Sequence, residues 1–256
     1  MGLIEFFHGK AFSELHKSLS KKFLENAHYL CAMSSSDKRL VESELPGKKV
    51  EFWIEPPYSN PASEAKVFTK KESRKWLGVK DDIILFFGFI RPYKGLLYLI
   101  RAMPKIIEKK PNTKLIIQGV FWKDRQKYFD EIEKLNLKEH IIIREGYVAG
   151  DDRARVFYSA DVVVMPYLNI SESAIIPLSW GFGVPVICTA VGGNVDWITD
   201  GKEGYLTPPR DPEALADAVL NYYSKKMDKP FKEHMKKRMK EIAWSEKQER
   251  VVLGNF

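Results

Sequence analysis

Between Ser159 and Pro208 two short apolar runs, DVVVMPY and VPVICT, are each closed by proline or glycine, and no other stretch restricts the fold as much. A run of four to eight residues without alternation is too short for a core helix and too apolar for a half-exposed strand. It reads as a strand of a parallel sheet covered on both faces. The glycine turns between such strands let backbone amides approach a phosphate group, so a nucleotide-type ligand is expected.

The same pattern extends upstream. DDIILFFG, KLIIQG and HIIIREG read as strands, separated by the helical segments GLLYLIRAMPKIIEKKP, DRQKYFDEIEKLN and DDRARVFYSA. Downstream, the pattern predicts a helix from about Ser171 to Gly181, a short helical turn at Val195 to Thr199, and a helix ALADAVLNYY capped by DPE. Strands alternating with helices imply right-handed crossovers, hence an α/β, doubly wound, Rossmann-like parallel sheet. Its ligand belongs beyond the carboxyl ends of the strands, where the loops after Gly88, Gly119, Gly146 and Pro166 converge. Residues 1–56 read as a smaller α/β segment, with strands at LIEFF, HYLCAM and KKVEFWI and helices at Ser13 to Asn26 and after Ser34. The prolines and serines of EPPYSNPASEA mark a linker, placed at 57–64. The Rossmann-like domain then covers 65–226, and basic helices cover 227–256.

With 256 residues, 45% apolar and 12% aromatic, the chain can bury one large core or two smaller ones. No apolar run approaches the ~18 residues of a membrane span, and Glu5 interrupts the opening MGLIEFFHGK, so a cytoplasmic protein, peripheral at the membrane at most, is expected. Cys31 and Cys188 lack CxxC spacing, and the five histidines show no paired spacing. Neither a disulfide scaffold nor a metal site is indicated. The net charge of +7 concentrates between Lys225 and Lys240, where Phe231, Met235 and Met239 share one helical face. That face either packs on the body or docks on an anionic membrane surface. Aromatic residues do not interleave with the lysines, so nucleic acid is not expected as a partner.

The strand ends carry the chemistry. GFIRPYKG (Gly88 to Gly95) sets Arg91 and Lys94 at a helix start after a strand, where two cations and backbone amides suit a diphosphate; two solvated surface cations would look the same. SESA (Ser171 to Ala174) opens another segment with small residues, in which Ser171 is either an amide donor or an N-cap. No GxGxxG follows the first strand of either block, no GxxxxGK[ST] occurs, and no GxSxG elbow is present. Dinucleotide, P-loop and hydrolase sites are therefore not indicated.

In order and spacing, GFIRPYKG, LIIQG, SADVVVMPY, GFGVPVICTAVGGNVDWITDGKEGYLTPPRDPEALADAV and AWSEKQE resemble the donor-binding half of the GT-B glycosyltransferases of family 4. The resemblance covers about residues 64 to 250 and implies a retaining, nucleotide-sugar-dependent transferase. It implies that Lys94 holds the donor diphosphate and that Arg91 assists. It also implies that Gly88 and Gly119 end the binding strands, that the turn Gly146 to Val148, with Tyr147 and Val148, meets the base through backbone groups, and that amides of Ser171, Ser173, Ala174 and Ile175 contact phosphate or sugar. Glu172 would touch the donor sugar. Cofactor and metal are not required, because the fixed cations take the metal's place.

Two departures stand out. The family's Glu-x7-Glu pair falls on Ile170 and Leu178, and residues 1–56 resemble only the last elements of an acceptor domain, with His8 loosely at the place of an active-site histidine. The chain is thus expected to be shorter than its family, to rely on a partner subunit or homodimer, or to be a fragment. Its partners would be a nucleotide sugar and a glycan or lipid-linked acceptor. The alternative is a non-catalytic subunit that binds the nucleotide sugar while another chain supplies the acceptor site.

Overall fold

The computed structural model describes residues 14–54 and 65–242. The expected strand LIEFF, His8, the linker at 57–64 and the AWSEKQE segment lie outside them. In the first part α1 (Glu14–Asn26) precedes β1 (Cys31–Ala32), α2 (Ser35–Glu44) and β2 (Glu51–Phe52). The two strands pair in parallel. Ser34 starts α2 as read, its hydroxyl accepting from the Asp37 amide at 3.1 Å. Leu24, Ala32, Val41, Leu45 and Val50 form a small core of their own.

From residue 65 the order is α3 (Lys70–Leu77), β3 (Asp82–Phe87), α4 (Leu96–Lys109), β4 (Thr113–Gly119), α5 (Gln126–Lys134), β5 (Ile141–Glu145), α6 (Gly150–Ser159) and β6 (Val162–Met165). There follow α7 (Ile175–Gly181), β7 (Val186–Thr189), α8 (Asn194–Trp197), β8 (Gly204–Thr207), α9 (Pro212–Ser224) and α10 (Asp228–Glu241). The apolar runs become the inner strands, with every residue of β6 and β7 buried. All six strands pair in parallel in the order β5-β4-β3-β6-β7-β8. The order reverses between β3 and β6, so the loops leaving these two strands diverge and open a crevice at their carboxyl ends. Helix α4 packs against α5 and α9, while α3 packs against α6.

Two elements were not anticipated. α3 opens on a capping box in which Thr69 and Glu72 exchange hydrogen bonds, a T-x-x-E signal that is present in the sequence. β8 is the edge strand after the turn at Gly201, and its half-buried GYLT carries a weaker apolar signal than the inner runs.

The basic helix α10 settles the use of its apolar face. Phe231 is fully buried, 5.1 Å from the Tyr205 ring and 6.1 Å from that of Tyr222. Met235 is buried beside it and Met239 packs on the same core. Phe231 and Met235 thus lie in the domain interior with Met239 packed at its edge, so of the two uses read for this face the structure shows the packed one. Among the described residues no helix is long and apolar enough to cross a membrane.

Candidate functional site

At the crevice, β3 ends in Gly88, whose φ of +106° lies where side chains are strained and whose missing Cβ would stand 3.2 Å from the Lys94 Nζ. The chain then runs through Arg91 into a single 3-10 turn, Pro92–Lys94, which brings Lys94 back over the strand end. The Leu168 amide donates to the Tyr93 carbonyl at 2.7 Å, tying this loop to the one that leaves β6. Lys94 lies 5.2 Å from the centroid of the buried Tyr167 ring. Burial, and after it the charge of Arg91, pushes the Lys94 ammonium down to about 8. The Arg91 guanidinium stacks on Trp122 at 4.7 Å and reaches Phe89 at 6.0 Å, while its buried Nε has no hydrogen-bond partner. Neither cation pairs with a carboxylate among the described residues.

A cavity of about 200 Å³ opens beside Lys94. Gly88, Gly119, Tyr147, Val148 and Ile175, all read from the sequence as binding positions, line it together with Gln118, Arg153 and Leu178. Gln118 is buried and donates from Nε2 to the Gly146 carbonyl at 3.0 Å, while its Oε1 accepts from Arg144 Nε at 3.1 Å. This side chain fixes the Gly146 to Val148 turn against β4. Tyr147 is left largely exposed at the rim.

The segment Ser171 to Ala174 departs from its expected form. It is a loop, and the helix α7 begins only at Ile175. The cause lies elsewhere in the chain. The Gly193 amide donates to the Ser171 carbonyl at 2.9 Å, and Gly192, at φ +50°, comes so close to the Ile170 carbonyl that a Cβ there would sit 1.5 Å from its oxygen. The Ser171 carbonyl is thereby engaged, and the Ile175 amide turns to Ser173 Oγ at 3.3 Å instead. Ser171 is consequently no N-cap, and the first amides of α7 are those from Ile175 on. Ala174 is exposed, and Glu172 is half-buried in the loop, its Cα 3.7 Å from the position of a Cβ on Gly193.

The first part of the chain reaches this loop. The Ser35 amide donates to Asp196 Oδ2 at 2.8 Å, and Ser34 packs on Gly193. The Cys31 thiol is pushed up to about 11, mainly by burial and the charge of Glu51, with a smaller contribution from Glu172. Cys188 is buried in β7, as its apolar run implied. The structure thus brings Gly88, Lys94, Gly119, Tyr147, Val148 and Ile175 around one cavity, with Arg91 beside it, and sets Ser171 to Ala174 between that cavity and the N-terminal part. Arg153 was not singled out by the sequence, and Gln118 stood only within a strand-end segment, with no role of its own. Only the topology shows that they share the pocket.

Comparison with known proteins agrees with this fold. Residues 81–225 match the family model described as glycosyl transferases group 1. An uncharacterized glycosyltransferase of Methanocaldococcus jannaschii is 35% identical over 153 residues, 58% of this chain and 38% of that protein. A D-inositol 3-phosphate glycosyltransferase of Paenarthrobacter aurescens is 33% identical over 171 residues, 64% of this chain and 42% of that protein. The chain therefore spans about two fifths of the length of these relatives. Among solved structures, Anabaena HepE in complex with UDP and glucose aligns with a TM-score of 0.78 at 17% identity, covering 98% of this chain and 70% of that one.

Proposed function

Because this chain belongs to the group 1 glycosyl transferases, we propose that its crevice binds a nucleoside-diphosphate sugar and that the chain takes part in transferring the sugar to an acceptor, with retention of anomeric configuration. The observation that carries this reading is the pairing of Lys94 with Arg91. Two like charges share a partly buried strand end, and burial holds one of them well below its ordinary pKa. Such an arrangement is unfavourable unless an anion occupies the site. A diphosphate supplies that anion, and HepE, which shares the fold, was crystallised with UDP.

In this reading the diphosphate lies between Lys94, Arg91 and the amides of Ser173 and Ala174, with the Ile175 amide held by Ser173 Oγ. The base enters the cavity along Gly146 to Val148, and Glu172 faces the sugar. The two cations stabilise the leaving diphosphate as its charge grows, which is the work a divalent metal does elsewhere. Because α7 begins at Ile175 and has only seven residues, the side-chain cations carry more of this stabilisation than a helix dipole does. Leu178 gives an apolar wall where the resembling family has a carboxylate, so ribose recognition falls to other groups. The acceptor is a glycan or lipid-linked molecule.

Calorimetry with UDP, GDP and ADP in EDTA tests the donor site, and at least one of them is expected to bind. No heat and no thermal shift with any of the three overturns the reading. Mass spectrometry after incubation with nucleotide sugars tests transfer, and binding without any turnover would favour a subunit that depends on a partner for its acceptor site. Glu172→Gln is expected to lower turnover about tenfold or more while leaving nucleotide affinity within about twofold, as for a group that acts on the sugar at the transition state. Equal losses in both would place Glu172 on the ribose or diphosphate.

A further inference from the structure

Arg153 stands on the first turn of α6, and its side chain lines the cavity that Gly146, Tyr147 and Val148 also line. Its Nε is buried and finds no hydrogen-bond partner. The nearby acidic side chains are engaged elsewhere: Asp151 Oδ1 accepts from the Lys66 amide at 3.0 Å, and Asp152 pairs with Arg155 at 3.4 Å. Arg153 forms no ion pair with a described carboxylate. A guanidinium carries five N–H donors and no acceptor, and leaving a buried donor without a partner is costly. Among the side chains that line the same cavity, Gln118 is engaged with Gly146 and Arg144, and Phe87, Phe89, Val120, Val148, Ile175 and Leu178 are apolar. A ligand in the cavity can supply an acceptor to the rest of this guanidinium.

We propose that Arg153 makes the site selective for keto nucleobases, a proposal that rests on the donor-site reading above. Uracil presents O4 and guanine presents O6, acceptors that a guanidinium can meet, whereas N7 is common to guanine and adenine and does not distinguish them. Cytosine and adenine present an amino group at the corresponding edge, which would face donor with donor. Backbone groups of the Gly146 to Val148 turn hold any base, whereas Arg153 distinguishes among them. Whether the base is uracil or guanine depends on the room in the cavity, which the experiment resolves.

The test is calorimetry of the full chain with UDP, GDP, CDP, ADP and inorganic pyrophosphate, repeated with Arg153→Leu and Arg153→Lys after their folding has been checked by thermal melting. Wild-type protein is expected to bind UDP or GDP at least about tenfold more tightly than CDP and ADP, the low end of what a good side-chain contact to a base discriminates. Arg153→Leu should reduce that preference to about twofold and leave pyrophosphate affinity unchanged. Arg153→Lys, which keeps the charge but loses the planar fork, should retain only part of it. Nucleotide binding without base preference in the wild type overturns the proposal and leaves the donor site standing, as does a preference that survives in Arg153→Leu. A parallel loss of pyrophosphate affinity would make Arg153 a phosphate ligand and equally overturn it. Absence of binding by every nucleotide and by pyrophosphate overturns the donor site and this proposal together.

Discussion

Replacing Lys94 with methionine is expected to weaken nucleoside diphosphate binding by about 1.5–3 kcal/mol, the range for a charge-assisted hydrogen bond, while making the ligand-free protein more stable. The two effects share one cause. Burial and the neighbouring Arg91 disfavour the ammonium in the folded chain and bring it down to about 8. Below pH 8 the lysine is charged in both folded and unfolded states, and its cost to the fold is fully present. Between about 8 and the ordinary lysine value the unfolded chain binds more protons, so the stability of the wild type rises with pH and the cost disappears above that window. A methionine at this position avoids the cost. Its thermal midpoint should exceed that of the wild type at pH 7, by an amount corresponding to about 1–3 kcal/mol after allowance for partial exposure, and the difference should close by pH 10.5. Diphosphate affinity of the wild type should in turn decline as pH rises past about 8, because the neutral amine no longer opposes the phosphate charge. Melting curves and calorimetry at pH 7 and pH 9.5 check both halves. Unchanged affinity combined with a lower midpoint would make Lys94 a structural residue.

Asp161→Ala is expected to cost about 3–5 kcal/mol of stability, as for a largely buried ionic group whose partners are left behind. Asp161 begins the β6 run at the end of the sheet opposite the site. Its Oδ1 meets Lys70 Nζ at 2.8 Å, and its Oδ2 meets Arg74 Nη2 at 2.6 Å and the Ile83 amide at 2.7 Å. Its carbonyl accepts from the Tyr222 hydroxyl at 2.7 Å. One carboxylate thereby joins α3 to β3, and its backbone ties the same corner to α9. Removing it strands Arg74, whose side chain is only 18% exposed, along with a strand amide. A fall in thermal midpoint of roughly 10 °C is the expected reading for a chain of this size. The folded fraction should keep its nucleotide affinity, since the crevice lies at the other end of the strands. A shift under about 2 °C would show that the network contributes little beyond specificity.

The parallel sheet was legible in the sequence because its cause is local. DIILFF, KLIIQG, VVVM and VICT are each too short and too evenly apolar to be anything other than inner strands, and helical segments of suitable length separate them. Right-handed crossovers restrict the strand order without fixing it, and the place of the site follows from the order the structure shows. Lys94 and Arg91 could be found because GFIRPYKG carries its turn chemistry within eight residues. α3 also had a local signal, the T-x-x-E box at Thr69.

What only the tertiary structure decided involves partners distant in sequence. Ser171 to Ala174 has nothing in its own residues against a helix. It is a loop because Gly192 and Gly193, some twenty residues on, take up the space and the hydrogen bond at the Ile170 and Ser171 carbonyls. The periodicity of α10 shows an apolar face but not what covers it, and Tyr205 and Tyr222 supply that cover. Gln118 and Arg153 look like ordinary polar residues along the chain and become parts of one cavity only when β4, β5 and α6 are set side by side. A residue's own run of neighbours determines whether it joins a strand or a helix. Which polar group is left unpaired, and facing what, is determined by contacts between segments, and on those the chemistry of this crevice depends.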